Sequence, residues 1–241
     1  MAASDMPQLP EDWDRAMCIV AHPDDIEYGT ASAVARWVAM GKEVVYVLAS
    51  RGEAGIDSMS PDKTGPLRER EQREAAKAVG VTVVEFLDHS DGVIEYGQPL
   101  RRDLARMIRK YRPEVIVTQN TDLTRRGGTL NQADHRAVGL ASLDAARDAG
   151  NRWIFTELLA EGLEPWSGVK LILIPGVHDA DHWCDTSTYM DAGVKALEAH
   201  AEYIGNLSEP MDVGAFLRKP ASERGAQFGV KYAVVFKVWR V

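Results

Sequence analysis

The chain has 241 residues, of which 45% are hydrophobic and 27% are charged, values typical of a globular protein. Its net charge of −8 argues against a nucleic-acid partner, because a basic face is the usual footprint of such binding. No apolar stretch approaches the ~20 residues that cross a bilayer, and the polar, acidic N-terminal segment lacks a signal-peptide pattern. Cys18 and Cys184 have no paired spacing and are typical of free thiols in a reducing compartment. We therefore expect a cytoplasmic protein without a membrane span.

Strand and helix patterns alternate along most of the chain. β-branched runs such as 43–50 predict buried parallel strands, and apolar residues at helical spacing between them predict helices. With short connections, this alternation predicts a Rossmann-like, mainly parallel sheet with helices on both faces, a three-layer α/β/α fold in a single domain over residues 1–241. Residues 210–229, rich in glycine and charge, are interpreted as a surface loop. The predicted strands are 16–21, 43–50, 81–87, 113–119, 169–176 and 231–239, and the predicted helices are 27–41, 66–80, 100–112, 134–150 and 188–206.

A histidine and two aspartates follow the first predicted strand, in the stretch HPDDIE that begins at His22. A strand-to-helix turn with an acidic cap explains part of this cluster, but one acidic residue would suffice for a cap. The loop after the fourth strand carries a second acid–histidine pair, Asp134 and His135. Parallel sheets bind ligands outside the carboxyl ends of their strands, so His22, Asp25 and His135 can converge there.

Two imidazoles and one carboxylate are a suitable ligand set for a catalytic metal ion. They leave a fourth position for water, whose pKa zinc lowers to roughly 7, and the resulting hydroxide can attack a carbonyl. The side chain of Asp24 diverges from that of its neighbour Asp25 and is expected to act as a general base. Zn²⁺ is the expected cofactor, and Fe²⁺ stays open because such sites accept both metals.

Five further motifs follow AHPDDIE in order across roughly residues 16–205: RGEAG, LREREQREAAKAVGV, LDHSDG, ADHRAVG and KALEAH. Together they resemble the LmbE-like, or PIG-L-like, zinc-dependent de-N-acetylases, whose signature is AHPDDE. The resemblance implies zinc ligation by His22, Asp25 and His135, with Asp24 as general base. It implies hydrolysis of an acetamide on an amino sugar or sugar conjugate, so the expected partner is a small N-acylated amino sugar. Amides of thiol-sugar conjugates stay an alternative, and the resemblance is compatible with a homo-oligomer.

Two positions depart from this family. Much of the family has a histidine three residues before the last ligand, where this chain has Gln132, which can donate a hydrogen bond but cannot transfer a proton. His182, His178 or Asp24 would then supply the proton, and a catalytically impaired metal or sugar binder stays an alternative. Ile26 moves the signature glutamate to Glu27, which we interpret as structural.

Three residues are candidates for substrate binding. Arg68, at the start of the charged helix, can donate to substrate hydroxyl or phosphate groups, and Glu53 and His182 can contact substrate hydroxyls. A nucleotide-binding α/β protein is the alternative from a different class. The sequence has neither a GxGxxG nor a GxxxxGK[ST] motif, which argues against this alternative. The acidic residues after the first strand would also repel a pyrophosphate.

Overall fold

The computed structural model describes residues 6–125 and 128–241, and its strands and helices alternate as predicted. No helix in these described residues is both long and apolar enough to cross a membrane. In chain order the elements are β1 (Arg15–Val20), α1 (Ala31–Ala39), β2 (Glu43–Leu48), α2 (Pro61–Ala78), β3 (Val83–Phe86), α3 (Gln98–Tyr111), β4 (Val115–Val117), α4 (Ala133–Asp148), α5 (Glu157–Ala160), β5 (Leu171–Pro175), β6 (His182–Asp185), α6 (Met190–Glu198), α7 (Ala201–Gly205), α8 (Val213–Phe228) and β7 (Ala233–Arg240).

The strands form one sheet in the order β3-β2-β1-β4-β5-β7-β6. The first five are parallel neighbours, and β7 runs antiparallel to both β5 and β6. The direction of strand succession reverses between β1 and β4, where Cys18 lies in register with Val117. The loops that follow these two strands therefore open on one crevice, the place where open α/β sheets bind ligands.

Both faces of the sheet are covered, which gives the predicted three layers. In β1, Cys18 and Val20 pack into a core cluster that contains Trp37 of α1, whereas Met17 and Ile19 pack into a second cluster with α3 and α4. Alternate residues of a strand point to opposite faces, so a strand buried on both faces needs an unbroken apolar run. This explains why the first strand is apolar throughout and why the polar cluster begins only where the strand ends.

The interpretation of residues 210–229 as a surface loop is wrong, because this segment contains the helix α8. Asp212 caps the helix by accepting the backbone N–H of Ala215 at 2.8 Å. The glycines, charges and Pro220 favoured a loop, but an apolar stripe at four-residue spacing supplies a helical face that packs on α6. The buried stripe is Val213, Leu217, Ala221 and Gly225.

Three smaller boundaries also differ from the prediction. The strand β6 was not predicted, since four residues are too few to show an alternating pattern. The predicted helix 188–206 is divided into α6 and α7 at His200. The helix α2 begins at Pro61 rather than Pro66, because Ser60 is extended and Pro61 occupies the first turn, where a missing N–H costs nothing.

Candidate functional site

The turn after β1 separates the two adjacent aspartates. Asp24 adopts φ +87°, a left-handed conformation that is uncommon outside glycine. The backbone N–H of His22 donates to Oδ2 of Asp25 at 2.7 Å, which holds the Asp25 carboxylate beside the histidine. The Asp24 carboxylate instead meets Arg68 of α2. The divergence expected for neighbouring side chains is therefore present.

His22, Asp25 and His135 converge with the spacing of a metal site. One potential ligand atom from each residue lies within 4.8 Å of the others. The Asp25 carboxylate lies between the two rings, with Oδ2 3.4 Å from Nδ1 of His22 and Oδ1 3.0 Å from Nε2 of His135. Within the described residues this Nε2 is buried and has no hydrogen-bond partner of good geometry. An orphaned imidazole nitrogen beside a second imidazole and a carboxylate fits a divalent ion of the zinc type.

Two further carboxylates lie on the outer side of His22. Its Nε2 is 3.0 Å from Oδ1 of Asp91 and 3.2 Å from Oδ2 of Asp134. A proton on Nε2, donated to a carboxylate, leaves Nδ1 free to ligate, the usual arrangement of metal-bound histidines. Burial opposes charge on this ring, but Asp25, Asp134 and Asp91 outweigh it and raise the pKa of His22 to about 12. The site thus concentrates negative charge that a cation would neutralise.

Arg68 is buried against Asp24. Its Nη2 donates to Oδ2 of Asp24 at 2.8 Å and to the carbonyl of Pro23 at 2.6 Å. The guanidinium fits because Gly52 and Gly55 lack side chains: a Cβ at either position would lie 2.3 Å from Nη1. Burial raises the pKa of Asp24 to about 7, although the charge of Arg68 opposes the rise. A carboxylate that titrates near neutral pH is suited to act as a general base.

Gln72, one turn after Arg68 on α2, holds the backbone of the same turn. Its Oε1 accepts the N–H of Asp24 at 2.9 Å, and its Nε2 donates to Oε1 of Glu27 at 3.0 Å. The other oxygen of Glu27 lies 3.6 Å from Nε2 of the fully buried His200. Two residues of α2 therefore fix the left-handed turn, and Glu27 has the structural position expected for it.

His135 is oriented by the loop between β4 and α4. Its Nδ1 lies 3.2 Å from Oδ1 of Asn131 and 2.9 Å from Nη2 of Arg125. Nδ1 cannot donate to Asn131 and accept from Arg125 at the same time. The tautomer that donates to Asn131 leaves Nε2 as the ligating nitrogen, so metal ligation selects the contact with Asn131.

These groups line a cleft of about 680 Å³ at the carboxyl ends of β1 and β4. Gln132 precedes the first residue of α4, three residues before His135, and its exposed side chain faces the cleft. The predicted site residues that line the cleft are His22, Asp24, Asp25, Arg68, Gln132 and His135. The structure thus brings together six of the eight candidates.

Glu53 and His182 are not among the residues that line the cleft. The Glu53 carboxylate accepts the backbone N–H groups of Asp91 and Arg51, at 2.9 and 3.2 Å, and so joins two loops. His182 begins β6, at the outer edge of the sheet, where Nδ1 lies 2.8 Å from Asp181. The structure does not bring these two predicted substrate contacts into the cleft, and for His182 the cause is the strand β6, which the sequence did not reveal.

Sequence reasoning assigned no role to Asp91 or Tyr203, which also line the cleft. Asp91 lies in the LDHSDG motif, which was a usable signal. Tyr203 belongs to α7, and its ring covers the guanidinium of Arg68, with Cζ 4.0 Å from the ring centroid. Burial raises the pKa of Tyr203 to about 12, so its hydroxyl stays protonated. No local pattern in the sequence connects α7 with α2.

A family model described as PIG-L: GlcNAc-PI de-N-acetylase matches residues 17–146, more than half of the chain. The chain belongs to this family. The PIG-L match begins in β1 and ends in α4, so it contains the three candidate ligands and Asp24. The elements from β5 to β7 lie beyond it. The resemblance seen in the sequence is confirmed.

Similar proteins include named deacetylases. The chain is 27% identical over 228 residues to the diacetylchitobiose deacetylase of Thermococcus kodakarensis, covering 92% of this chain and 82% of the relative. It is 28% identical to the 1D-myo-inositol 2-acetamido-2-deoxy-alpha-D-glucopyranoside deacetylase of Kineococcus radiotolerans, covering 65% of this chain and 50% of the relative. The solved N,N'-diacetylchitobiose deacetylase of Pyrococcus horikoshii superposes with a TM-score of 0.84 at 26% identity, over 95% of this chain and 85% of that one. This superposition confirms the predicted fold.

Proposed function

We propose that this chain is a metal-dependent hydrolase that removes the acetyl group from the amide nitrogen of an amino sugar or sugar conjugate. The observation that carries the proposal is the His22–Asp25–His135 set beside the buried carboxylate of Asp24, in a cleft of about 680 Å³. The names of the relatives support the amino-sugar substrate. Zn²⁺ is the proposed ion, with Fe²⁺ as the alternative for this ligand set.

His22 through Nδ1, His135 through Nε2 and the Asp25 carboxylate would hold the ion. When bound, a divalent ion there lowers the pKa of water and polarises the acyl oxygen. Asp24 accepts a proton from the attacking water, whose oxygen bonds to the acyl carbon. As the C–N bond breaks, the Asp24 carboxyl returns this proton to the nitrogen, and the products are acetate and a free amine.

Arg68 and Gln132 assist at the two ends of this reaction. The guanidinium of Arg68, 2.8 Å from Asp24, stabilises the ionised base before the attack. Gln132 donates its amide N–H to the negative charge that develops on the acyl oxygen, but it cannot protonate the leaving amine. A catalytically impaired sugar binder is the second candidate, because Gln132 replaces the histidine of the family at this position.

The polar wall of the cleft supports a sugar as the group that carries the amine. Asp91, Asn120 and Asn131 lie there. Asp91 and Asn131 already contact His22 and His135, whereas Nδ2 of Asn120 has no hydrogen-bond partner within the described residues and can donate to a hydroxyl. Amides of thiol-sugar conjugates would use the same wall and stay the alternative substrate class.

We further propose that residues 1–241 form a single domain that acts in the cytoplasm. One sheet contains strands from Arg15 to Arg240, which supports the single domain. Two buried free thiols, Cys18 and Cys184, support a reducing compartment. The family resemblance is compatible with a homo-oligomer. Sedimentation of the purified protein would measure its oligomeric state.

The proposed function is tested by metal content and amine release in the same samples. The zinc-loaded protein should release amine from N-acetylglucosamine or its glycosides, lose this activity on chelation and regain it on adding Zn²⁺. His135→Ala should lose both metal and turnover. The matched control is His182→Ala, an imidazole outside the cleft, which should keep both. Full metal occupancy in His135→Ala would remove the proposed site.

A further inference from the structure

A second, smaller cavity of about 250 Å³ adjoins the catalytic cleft. The two cavities share part of their lining, so they lie side by side. The rings of Tyr28 and Phe216 meet edge to face at the junction, with centroids 5.6 Å apart. The residues that line both cavities are Tyr28, Gly29, Pro175, Gly176, Phe216 and Arg224. We refer to the smaller cavity as the side pocket.

The side pocket is built mainly from buried apolar side chains. Its polar lining includes Glu27, Ser32 and Arg224. Glu27 directs one carboxylate oxygen to Gln72 and the other toward His200. Oε1 is therefore hydrogen-bonded, whereas Oε2 faces the His200 imidazole at 3.6 Å without a hydrogen bond. The apolar walls come from α6, α8 and β7, and include Met190, Leu217, Ala221, Val234 and Val235. The apolar part of this lining favours a hydrocarbon chain, because apolar area that packs against it leaves water.

The two sides of the cleft differ in the same way as the two sides of an amide substrate. Asp91, Asn120 and Asn131 form a polar wall on which Nδ2 of Asn120 is left to donate to a sugar hydroxyl, whereas the described residues of the side pocket are mainly apolar. The amide carbonyl must lie at the candidate ligands between them. A sugar on the polar wall therefore directs the acyl group to the apolar side, where the space far exceeds that of a methyl group.

We propose that the side pocket binds the acyl chain of the substrate and that this protein prefers N-acyl amino sugars with straight acyl chains longer than acetyl. The inference rests on the proposed function and specifies its substrate class. The reaction is unchanged: water adds across the C–N bond, and the products are a straight-chain carboxylate and the free amino sugar. No co-reactant is needed.

The first test is a substrate series of N-acetyl-, N-butyryl-, N-hexanoyl- and N-octanoyl-glucosamine with the zinc-loaded protein. Each methylene that enters the side pocket should raise kcat/KM by up to about fourfold, until the pocket is full. A kcat/KM that is constant or falls from acetyl onward would overturn the inference while leaving the proposed function standing. Absence of amine release from every member, acetyl included, would remove both.

Variants of α8 locate the effect. Ala221→Leu fills the side pocket and should lower the ratio of kcat/KM for hexanoyl over acetyl substrate by about tenfold, as expected for one or two displaced methylenes. Ala226→Leu makes the same change on the exposed side of α8 and should leave the ratio unchanged. Met190→Ala enlarges the pocket and should move the optimum to a longer chain, which keeps the test valid if Ala221→Leu does not fold.

A second series separates the acyl chain from the aglycone. Methyl, butyl and hexyl glycosides of N-acetylglucosamine carry the hydrocarbon on the sugar side instead. Any dependence of kcat/KM on the length of this alkyl group should be the same in the parent and in Ala221→Leu. If kcat/KM instead rises with the alkyl group of the glycoside, Ala221→Leu abolishes this rise, and kcat/KM is constant along the acyl series, then the side pocket binds the aglycone and the inference is wrong.

Discussion

The part of the chain that ends with α4 and the part that begins with β5 contribute different groups to the cleft. From the first part come the candidate ligands His22, Asp25 and His135, the proposed base Asp24 and its partner Arg68. From the second come the rings of Tyr203 and Phe216, the Pro175–Gly176 corner and the apolar walls of the side pocket. The PIG-L match covers only the first part.

This difference teaches that chemistry and substrate shape are separable in this fold. The charged groups in the loops after β1 and β4 are held by short hydrogen bonds. A substitution that displaces one of these groups changes its reactivity. The later elements contact the cleft mainly through apolar and aromatic surfaces, together with Arg224 of α8, and changes of volume there should alter which substrate fits. Changes in the first part should therefore lower turnover for every substrate, and changes in the second should alter the ratio between substrates.

The largest effect is expected for the base. Asp24→Asn keeps the size and the N–H contact with Gln72 but cannot accept a proton. It should retain metal and lower kcat by about 10²–10⁴-fold, the usual scale of general base catalysis. Metal analysis and steady-state kinetics of the same preparation check this. Loss of metal together with activity would instead make Asp24 a ligand.

Gln132 provides the next largest effect. Gln132→Ala removes the proposed N–H donor to the acyl oxygen and should lower kcat by about 10²–10³-fold with metal content unchanged. Gln132→His should preserve or raise activity and add an ionisation near the usual pKa of histidine, about 6.5. If Gln132→Ala has the kcat of the parent, the side chain of Gln132 plays no part in the reaction.

Much of the first part was predictable from the sequence because its signals are local. Apolar runs marked the strands, and parallel topology brought the residues after β1 and β4 together, which predicted His22, Asp25 and His135. The contacts of the second part were not predictable. The ring of Tyr203 on Arg68 joins α7 to α2, elements far apart in the chain, and periodicity carries no information on such packing. For the segment that forms α8, the glycine and proline content led to the prediction of a loop, because the apolar stripe of the helix is weak.

The pH dependence tests whether Arg68 serves the base. Only the ionised form of Asp24 accepts a proton, and burial raises its pKa to about 7 against the opposing charge of Arg68. Activity should therefore rise with pH through an acidic limb at or below 7, since a bound cation lowers this pKa further. Arg68→Met removes the favourable charge and should move the limb upward by about one to three pH units. Arg68→Lys, which keeps a charge, should show a smaller shift. A limb that does not move in Arg68→Met would show that another group controls it.

The smallest effect is expected where the second part touches the first, at Tyr203. Its ring covers the guanidinium of Arg68 at 4.0 Å, a cation–π contact worth about 0.5–2 kcal/mol, and its protonated hydroxyl lies near Asp24. Tyr203→Phe keeps the ring and should change kcat by no more than about threefold, because the charge of Arg68 still stabilises the base. Tyr203→Ala uncovers the guanidinium to water, which weakens its pairing with Asp24 and should move the acidic limb upward by less than Arg68→Met does. The pH–rate profiles of Tyr203→Phe and Tyr203→Ala show whether the ring or the hydroxyl of Tyr203 affects the acidic limb. A large loss of kcat in Tyr203→Phe would make the hydroxyl a catalytic group, and the division between a reactive first part and a shape-selecting second part would fail at this residue.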